Sequence, residues 1–134
     1  MALASVCIVW AVVTRSKGAT PVAVPLPLPE APIALTGAPQ KGSASASVVV
    51  IVYSDFECPY CRTFALQTLP QLMREYVDTG RVRLAFRNLP LDAMHPSARS
   101  AAAAGLCAER QGKFWEWQEL VFRGALPLGP GAFT

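Results

Sequence analysis

The sequence is poor in the residues that build metal sites and nucleic-acid surfaces. It has one histidine, and of its four cysteines only Cys58 and Cys61 stand close together. A structural zinc site, which needs a full tetrahedral set of such ligands, is therefore hard to assemble. Charged residues make up 16% of the chain, and from Val48 onward nine basic side chains nearly balance eight acidic ones. This balance argues against a nucleic-acid surface, which needs clustered basic residues.

Length and apolar content together predict one folded domain. Hydrophobic residues make up 52% of the sequence, which excludes a wholly disordered protein. The 134 residues suffice for one domain and not for two. No internal repeat is present, so we expect a single core with tails.

The chain begins with an apolar run over residues 2–13, closed by Thr14, Arg15 and Lys17. As a helix this run rises only about 18 Å, less than the roughly 30 Å of a hydrocarbon core. It also lacks the basic start and small-residue cleavage site of a signal peptide. We therefore expect residues 1–17 to be the remainder of a longer membrane anchor or signal. Lipidation at Cys7 is disfavoured because Val6 precedes it.

A proline-rich stretch follows the apolar run. Six of the twelve prolines fall between Gly18 and Gln40, and proline favours extended geometry without a backbone donor. This composition predicts a semi-rigid linker over residues 18–41, a folded domain over residues 42–124 and a loose tail over residues 125–134.

The first half of the folded region has a strand–helix–strand pattern. Val48–Tyr53 is an unbroken β-branched and aromatic run, typical of a parallel strand buried on both faces. Apolar residues at helical spacing predict a helix over Arg62–Val77, which Pro70 should kink or restart. Val82–Asn88 alternates apolar residues with arginines, which predicts a strand with one solvated face. The three elements make one βαβ unit.

Two more helices are predicted after that unit. His95 and Pro96 open the first, which ends near Gln111 before Gly112. It carries a face of small residues that allows close packing, formed by Ala98, Ala101, Ala102 and Gly105. The second helix covers Phe114–Phe122.

The motif Cys58-Pro59-Tyr60-Cys61 directly follows the first predicted strand and opens a helix, the context of a redox pair. Free N–H groups and the helix dipole stabilise a thiolate there, which lowers the pKa of the outer sulfur. Cys58 is therefore the expected nucleophile and Cys61 the thiol that resolves a mixed disulfide. Pro59 restricts the loop, and Tyr60 can tune the redox potential. An inert thiol pair and half of a metal site are the alternatives.

Three segments resemble the DsbA-like branch of the thioredoxin superfamily. They are Gly42–Cys61 (GSASASVVVIVYSDFECPYC), Phe86–Leu91 (FRNLPL) with His95-Pro96, and Leu106–Trp115 (LCAERQGKFW). The resemblance implies an α/β fold, with a thioredoxin-like βαβ core and an inserted helical segment. It also implies disulfide exchange outside the cytoplasm, with Cys58 as nucleophile and Cys61 as resolving thiol.

The sequence departs from that family in two places. Family members continue past the insertion with a cis-proline segment, two strands and a helix, and neither Pro127 nor Pro130 precedes a strand. We therefore expect a partial domain that lacks those C-terminal strands and that helix. Val52 stands where family members often carry a glutamate, six residues before the first cysteine.

Other residues near the motif have ordinary structural interpretations. Asp55 and Glu57 are expected to be polar residues of an exposed loop, and His95 a helix-boundary residue. Cys107 is expected to be a small buried hydrophobe, since free cysteine is among the most buried residue types.

The sequence therefore predicts a thiol:disulfide oxidoreductase that needs no cofactor beyond a Cys58–Cys61 disulfide. Its expected partners are substrate proteins with thiols or disulfides and a membrane redox partner that recycles the pair. Its expected location is extracytoplasmic, with an N-terminal anchor. The alternatives are a non-catalytic fragment that needs a partner to fold and a metal-binding Cys-x-x-Cys module.

Overall fold

The computed structural model describes residues 30–128. The chain divides into two units, Met1–Ile33 and Ala34–Thr134. The predicted anchor, with Cys7, and the first half of the predicted linker, residues 18–29, lie outside the described residues, as does Pro130.

A three-stranded sheet forms the centre of the second unit. Its strands are β1 (Gln40–Lys41), β2 (Val48–Ser54) and β3 (Val82–Asn88), in the order β1-β3-β2. β2 and β3 are parallel and β1 is antiparallel to β3, which confirms the predicted parallel pair and adds a third strand. The folded unit therefore begins before Gly42, the predicted boundary, because β1 and its approach from Ala34 belong to it.

The structure reverses the predicted burial of the two long strands. β2 was expected to be buried on both faces, but Val48 is 51% exposed and Tyr53 50% exposed, because β3 is its only neighbour among residues 30–128. β3 is central instead, and its supposedly solvated arginines, Arg83 and Arg87, are half-buried. Arg87 donates a hydrogen bond to the carbonyl of Ala34. An unbroken apolar run predicts a strand but does not specify how many neighbours it has.

The predicted first helix is present, with widened turns around its proline. We call it α1, and it consists of Pro59–Thr63 and Leu69–Leu72 in α geometry and of Phe64–Thr68 and Met73–Val77 in π geometry. The amide of Leu69 bonds to the carbonyl of Phe64, five residues back, just before Pro70. Since Pro70 has no N–H to donate and its ring crowds the preceding turn, the wider π turn lets the helix continue through it.

The inserted helices are α2 (Ala98–Arg110) and α3 (Phe114–Arg123). His95 and Pro96 were predicted to open α2, but the helix begins at Ala98, two residues after Pro96. The predicted small-residue face of α2 is confirmed, because Ala98, Ala101, Ala102 and Gly105 are all buried. A β-carbon placed on Gly105 would lie 2.9 Å from Cζ3 of Trp117. The absence of a side chain there lets α3 pack closely against α2.

The core is aromatic and lies beside the carboxyl ends of β2 and β3. Phe86 of β3 stacks on Phe56 with ring centroids 5.6 Å apart and lies 4.8 Å from Phe114. Leu126 and Leu128 also pack against this cluster. The described part of the tail, residues 125–128, was predicted to be loose but contacts the core through these two leucines.

Gly42 is required by the turn between β1 and β2, and its replacement is a test of the fold. Its φ is +99°, and a β-carbon would lie 2.7 Å from the carbonyl oxygen of Val82. Gly80 has a φ of +76° with nothing within 4 Å. We expect Gly80→Ala to cost about 1–2 kcal/mol from backbone strain alone, and Gly42→Ala about 1–3 kcal/mol more from overpacking. Equal midpoints for the two variants in chemical denaturation would contradict this packing.

Candidate active site

The cysteine motif lies where β2 ends and α1 begins. Cys58 is the residue before the first helical turn, with extended backbone angles (φ −70°, ψ 121°) and Pro59 directly after it. Its carbonyl accepts the amide of Arg62 at 3.0 Å, and its own amide donates to the carbonyl of Asp55 at 3.3 Å. The sulfur-bearing residue therefore stands at the positive end of α1.

The environment of Cys58 favours its thiolate. The backbone N–H of Cys61 lowers the pKa of Cys58 most, burial acts against it, and the Cys61 thiol and the amide of Tyr60 lower it further. The negative charge of Asp55 raises the pKa, but the net shift is downward. The shift follows from the free amides at a helix start, which stabilise an anionic sulfur.

Cys61 and Tyr60 differ in exposure although they are adjacent. Cys61 is half-buried and packs against the aromatic cluster, whereas Tyr60 is 84% exposed. Both cysteines carry free thiols. Because residues three apart on a helix share one face, Cys61 lies beside Cys58, and its thiol is a hydrogen-bond partner of the Cys58 sulfur.

The expectation that Asp55 is a residue of an exposed loop was wrong, because it is 2% exposed. One carboxylate oxygen accepts the amide of Glu57 at 2.8 Å; the other accepts the amide of Leu91 at 2.7 Å and Nδ1 of His95 at 3.0 Å. Burial raises the pKa of Asp55, but the hydrogen bonds from His95, Leu91 and Glu57 outweigh it and lower the pKa overall. Asp55 is thus a buried anion whose oxygens are paired.

Glu57 makes a second link to the inserted segment. Its carboxylate accepts the amide of Ser97 at 2.6 Å, and Ser97 immediately precedes α2. A carboxylate at a helix start is favourable because it faces unpaired N–H groups and the positive end of the dipole. Glu57 therefore caps α2 from the loop that carries Cys58. From sequence, only a polar residue of an exposed loop was expected, and this role was not predicted.

His95 is a boundary residue, as expected, and also the partner of Asp55. Their pairing could have been suspected from residue type, because the chain has one histidine and a carboxylate lies next to the cysteine motif. Sequence spacing did not connect them because 40 residues separate the two.

Cys107 is exposed on α2, not buried as predicted. Its sulfur accepts a hydrogen bond from the Arg110 guanidinium at 3.1 Å. α2 packs through its face of small residues, and Cys107 lies on the opposite, exposed face. The prediction of burial relied on the residue type alone and was therefore wrong.

Within residues 30–128, no group of three histidine, cysteine or acidic side chains is placed to hold a metal ion. No helix in this range is long and apolar enough to cross a membrane.

A cleft of about 370 Å³ lies next to the cysteine helix. Glu57 and Arg62 stand on its wall as a pair of opposite charges, and the remaining lining is mostly apolar. The apolar lining includes Phe56, Val121, Phe122, Leu126 and Leu128.

The fold and the cysteine motif were compared with known protein families and solved structures. A family model described as thioredoxin matches residues 36–125. The chain belongs to this family, in its DsbA-like branch. The solved structure of oxidised BdbD from Bacillus subtilis matches with a TM-score of 0.63 and 25% identity, over 75% of this chain and 52% of that one. Wolbachia pipientis α-DsbA1 matches with a TM-score of 0.56 and 28% identity, over 72% of this chain and 44% of that one. The thioredoxin-like α/β fold with a helical insertion is confirmed.

Two kinds of longer relative contain a similar segment. A probable disulfide bond formation protein D from Bacillus anthracis is 34% identical over 82 residues, which cover 61% of this chain and 38% of that protein. A Na⁺/H⁺ antiporter, NhaA 3 of Salinispora tropica, is 43% identical over 90 residues, which cover 67% of this chain and 13% of that protein. The chain thus spans well under half of these relatives, and the DsbA-like unit occurs in proteins with different names.

Proposed function

We propose that the chain is a thiol:disulfide oxidoreductase that exchanges disulfides with protein substrates through Cys58 and Cys61. The observation that carries this proposal is the position of Cys58 at the start of α1, where the amide of Cys61 lowers its pKa. Similarity to proteins named for disulfide bond formation supports the same chemistry.

In the oxidised form, a substrate thiolate attacks the Cys58 sulfur of the Cys58–Cys61 disulfide. The new bond joins substrate to Cys58, and Cys61 leaves as a thiolate that takes a proton. A second substrate thiolate then attacks the substrate sulfur and releases Cys58 as a thiolate. Two substrate thiols become one disulfide, and the cysteine pair gains the two electrons. The reverse sequence reduces a substrate.

The stabilised thiolate favours the oxidising direction. A sulfur with a lowered pKa is the better leaving group, and stabilising the reduced form makes the pair a stronger oxidant. The hydrogen bonds from the amides of Cys61 and Tyr60 act on the reduced form. Pro59 and the exposed Tyr60 are the residues of the motif that tune this balance.

The cleft beside the motif suits an extended stretch of an unfolded substrate. Leu126 and Leu128 offer apolar contact, and the Arg62 guanidinium offers polar contact to a passing backbone carbonyl. Such a surface binds many sequences weakly, which is what a general disulfide catalyst requires.

The proposed setting is an oxidising, extracytoplasmic compartment, because disulfides persist there. A membrane redox partner that reoxidises the pair completes the cycle, and the apolar residues 1–17 serve as the anchor or signal.

The function is tested by mixing the full, oxidised chain with a reduced, unfolded substrate protein and following the return of substrate activity. We expect catalysed refolding and, by peptide mass spectrometry, a Cys58–Cys61 disulfide that disappears as the substrate oxidises. A chain reduced and fully alkylated beforehand is the control. Refolding no faster than with that control would overturn the proposal.

A further inference from the structure

Two hydrogen bonds fasten the inserted helical segment to the loop that carries Cys58. One joins Asp55 to His95 and the other joins Glu57 to Ser97, and each spans 40 residues of chain. Asp55 and Glu57 lie just before Cys58, and their partners His95 and Ser97 lie just before α2. The two hydrogen bonds therefore join the start of α1 to the start of α2.

Asp55 is tied to Cys58 through the backbone as well. Its carbonyl accepts the amide of Cys58 at 3.3 Å, while its side chain is almost fully buried. Burying a carboxylate is costly unless its oxygens are paired, and three donors pair this one. The side chain of His95 is 19% exposed and that of Asp55 is 1% exposed, so the pair lies at the edge of the buried region with the carboxylate on its inner side.

We propose that Asp55 and His95 are a positioning pair that locks the helical insertion onto the active-site loop and sets the reactivity of the Cys58 sulfur. This inference rests on the proposed function, because it takes Cys58 as the nucleophile. The hydrogen bond from the amide of Ser97 to the carboxylate of Glu57 is a second connection between the same two segments. Asp55 adds a negative charge, and His95 offsets it through its Nδ1 hydrogen bond.

The charge of Asp55 opposes the thiolate and raises the pKa of Cys58. The hydrogen bond between His95 and the Asp55 carboxylate reduces that opposition, because it offsets part of the negative charge. The other charged groups on these segments are occupied: Glu57 binds the amide of Ser97, and Asp92 pairs with Arg99 at the surface. The Asp55–His95 pair is joined directly to Cys58, because the carbonyl of Asp55 accepts the amide of Cys58.

This arrangement predicts opposite effects for the two halves of the pair. In the reduced full chain, Asp55→Asn removes the negative charge and His95→Ala leaves it without its partner. We expect iodoacetamide to alkylate Cys58 about threefold faster or more in Asp55→Asn at mildly acidic pH, and about threefold slower or more in His95→Ala. The rate is followed as a function of pH by peptide mass spectrometry, which separates Cys58 from Cys61 and Cys107.

Opposite shifts are the decisive result, because mere loosening of the loop would move both variants in one direction. Asp92→Asn, in the same segment and exposed, is the matched control and should leave the profile unchanged. His95→Asn, which keeps a neutral donor near the position of Nδ1, should fold normally and react close to the wild-type rate. If Asp55→Asn does not fold, His95→Ala is compared with His95→Asn: a slow His95→Ala beside a restored His95→Asn supports the pair, and equal slowing of both overturns it.

The two proposals fail in different ways. If wild-type Cys58 is alkylated no faster than Cys61 and Cys107, the assignment of the nucleophile is wrong. If wild-type Cys58 reacts first but the folded variants shift together or not at all, only the positioning pair is overturned.

Discussion

Replacing Cys58 with serine is expected to reduce catalysed disulfide exchange to the rate without protein. A serine hydroxyl neither forms a mixed disulfide nor accepts electrons from a substrate thiol, so no partial activity should remain. The same assay of substrate refolding measures the loss. The amides of Cys61 and Tyr60 act on the Cys58 sulfur, so Cys58→Ser removes the thiolate that these amides stabilise.

Cys61→Ser should behave differently from Cys58→Ser. Its Cys58 still attacks a substrate disulfide, but no second thiol releases the substrate, so a covalent complex should accumulate on non-reducing gels. Cys107→Ser is the matched control, since Cys107 is exposed on α2 and apart from the motif; full activity is expected. Trapping through Cys107, or activity retained in Cys58→Ser, would show that the assignment is wrong.

Replacing Phe86 with alanine is expected to have the largest effect on stability. Phe86 is 2% exposed and contacts the rings of both Phe56 and Phe114. Removing it opens a cavity in the aromatic core, which should cost about 3–5 kcal/mol. That loss is a large share of the roughly 5–15 kcal/mol that stabilises an ordinary domain.

The Phe86 prediction is checked by chemical denaturation of the full chain. Leu106→Ala on the outer face of α2, where Leu106 is 44% exposed, is the control and should lose far less. Because Phe56 lies two residues before Cys58, Phe86→Ala should also slow disulfide exchange at temperatures where the variant is still folded. A loss equal to that of Leu106→Ala would contradict the placement of the core.

The reactive motif and the long elements were predictable from local sequence. A β-branched run followed directly by Cys58-Pro59-Tyr60-Cys61 specifies a strand, a turn and a helix start within a few residues. The effect of the helix start on the Cys58 pKa depends on the same short stretch. Helical periodicity likewise predicted α1 and α3, and the small-residue face of α2 predicted close packing.

Tertiary structure decided which strand is central, because strand order depends on partners far apart in sequence. Nothing local to Gln40–Lys41 indicates that this short segment pairs with β3 and leaves β2 at the edge of the described sheet. Cys107 shows the same limit, since the side of α2 on which it lies depends on how α3 packs.

The linkage of the loop carboxylates to the insertion also came only from the fold. A carboxylate next to a cysteine motif is ordinarily solvated, and burial of Asp55 becomes favourable only when Leu91, His95 and Glu57 converge on it. The local sequence thus determined the position of Cys58 at a helix start and the stabilisation of its thiolate. The tertiary structure determined what surrounds it, because donors 40 residues away in sequence reach the loop only after the chain has folded.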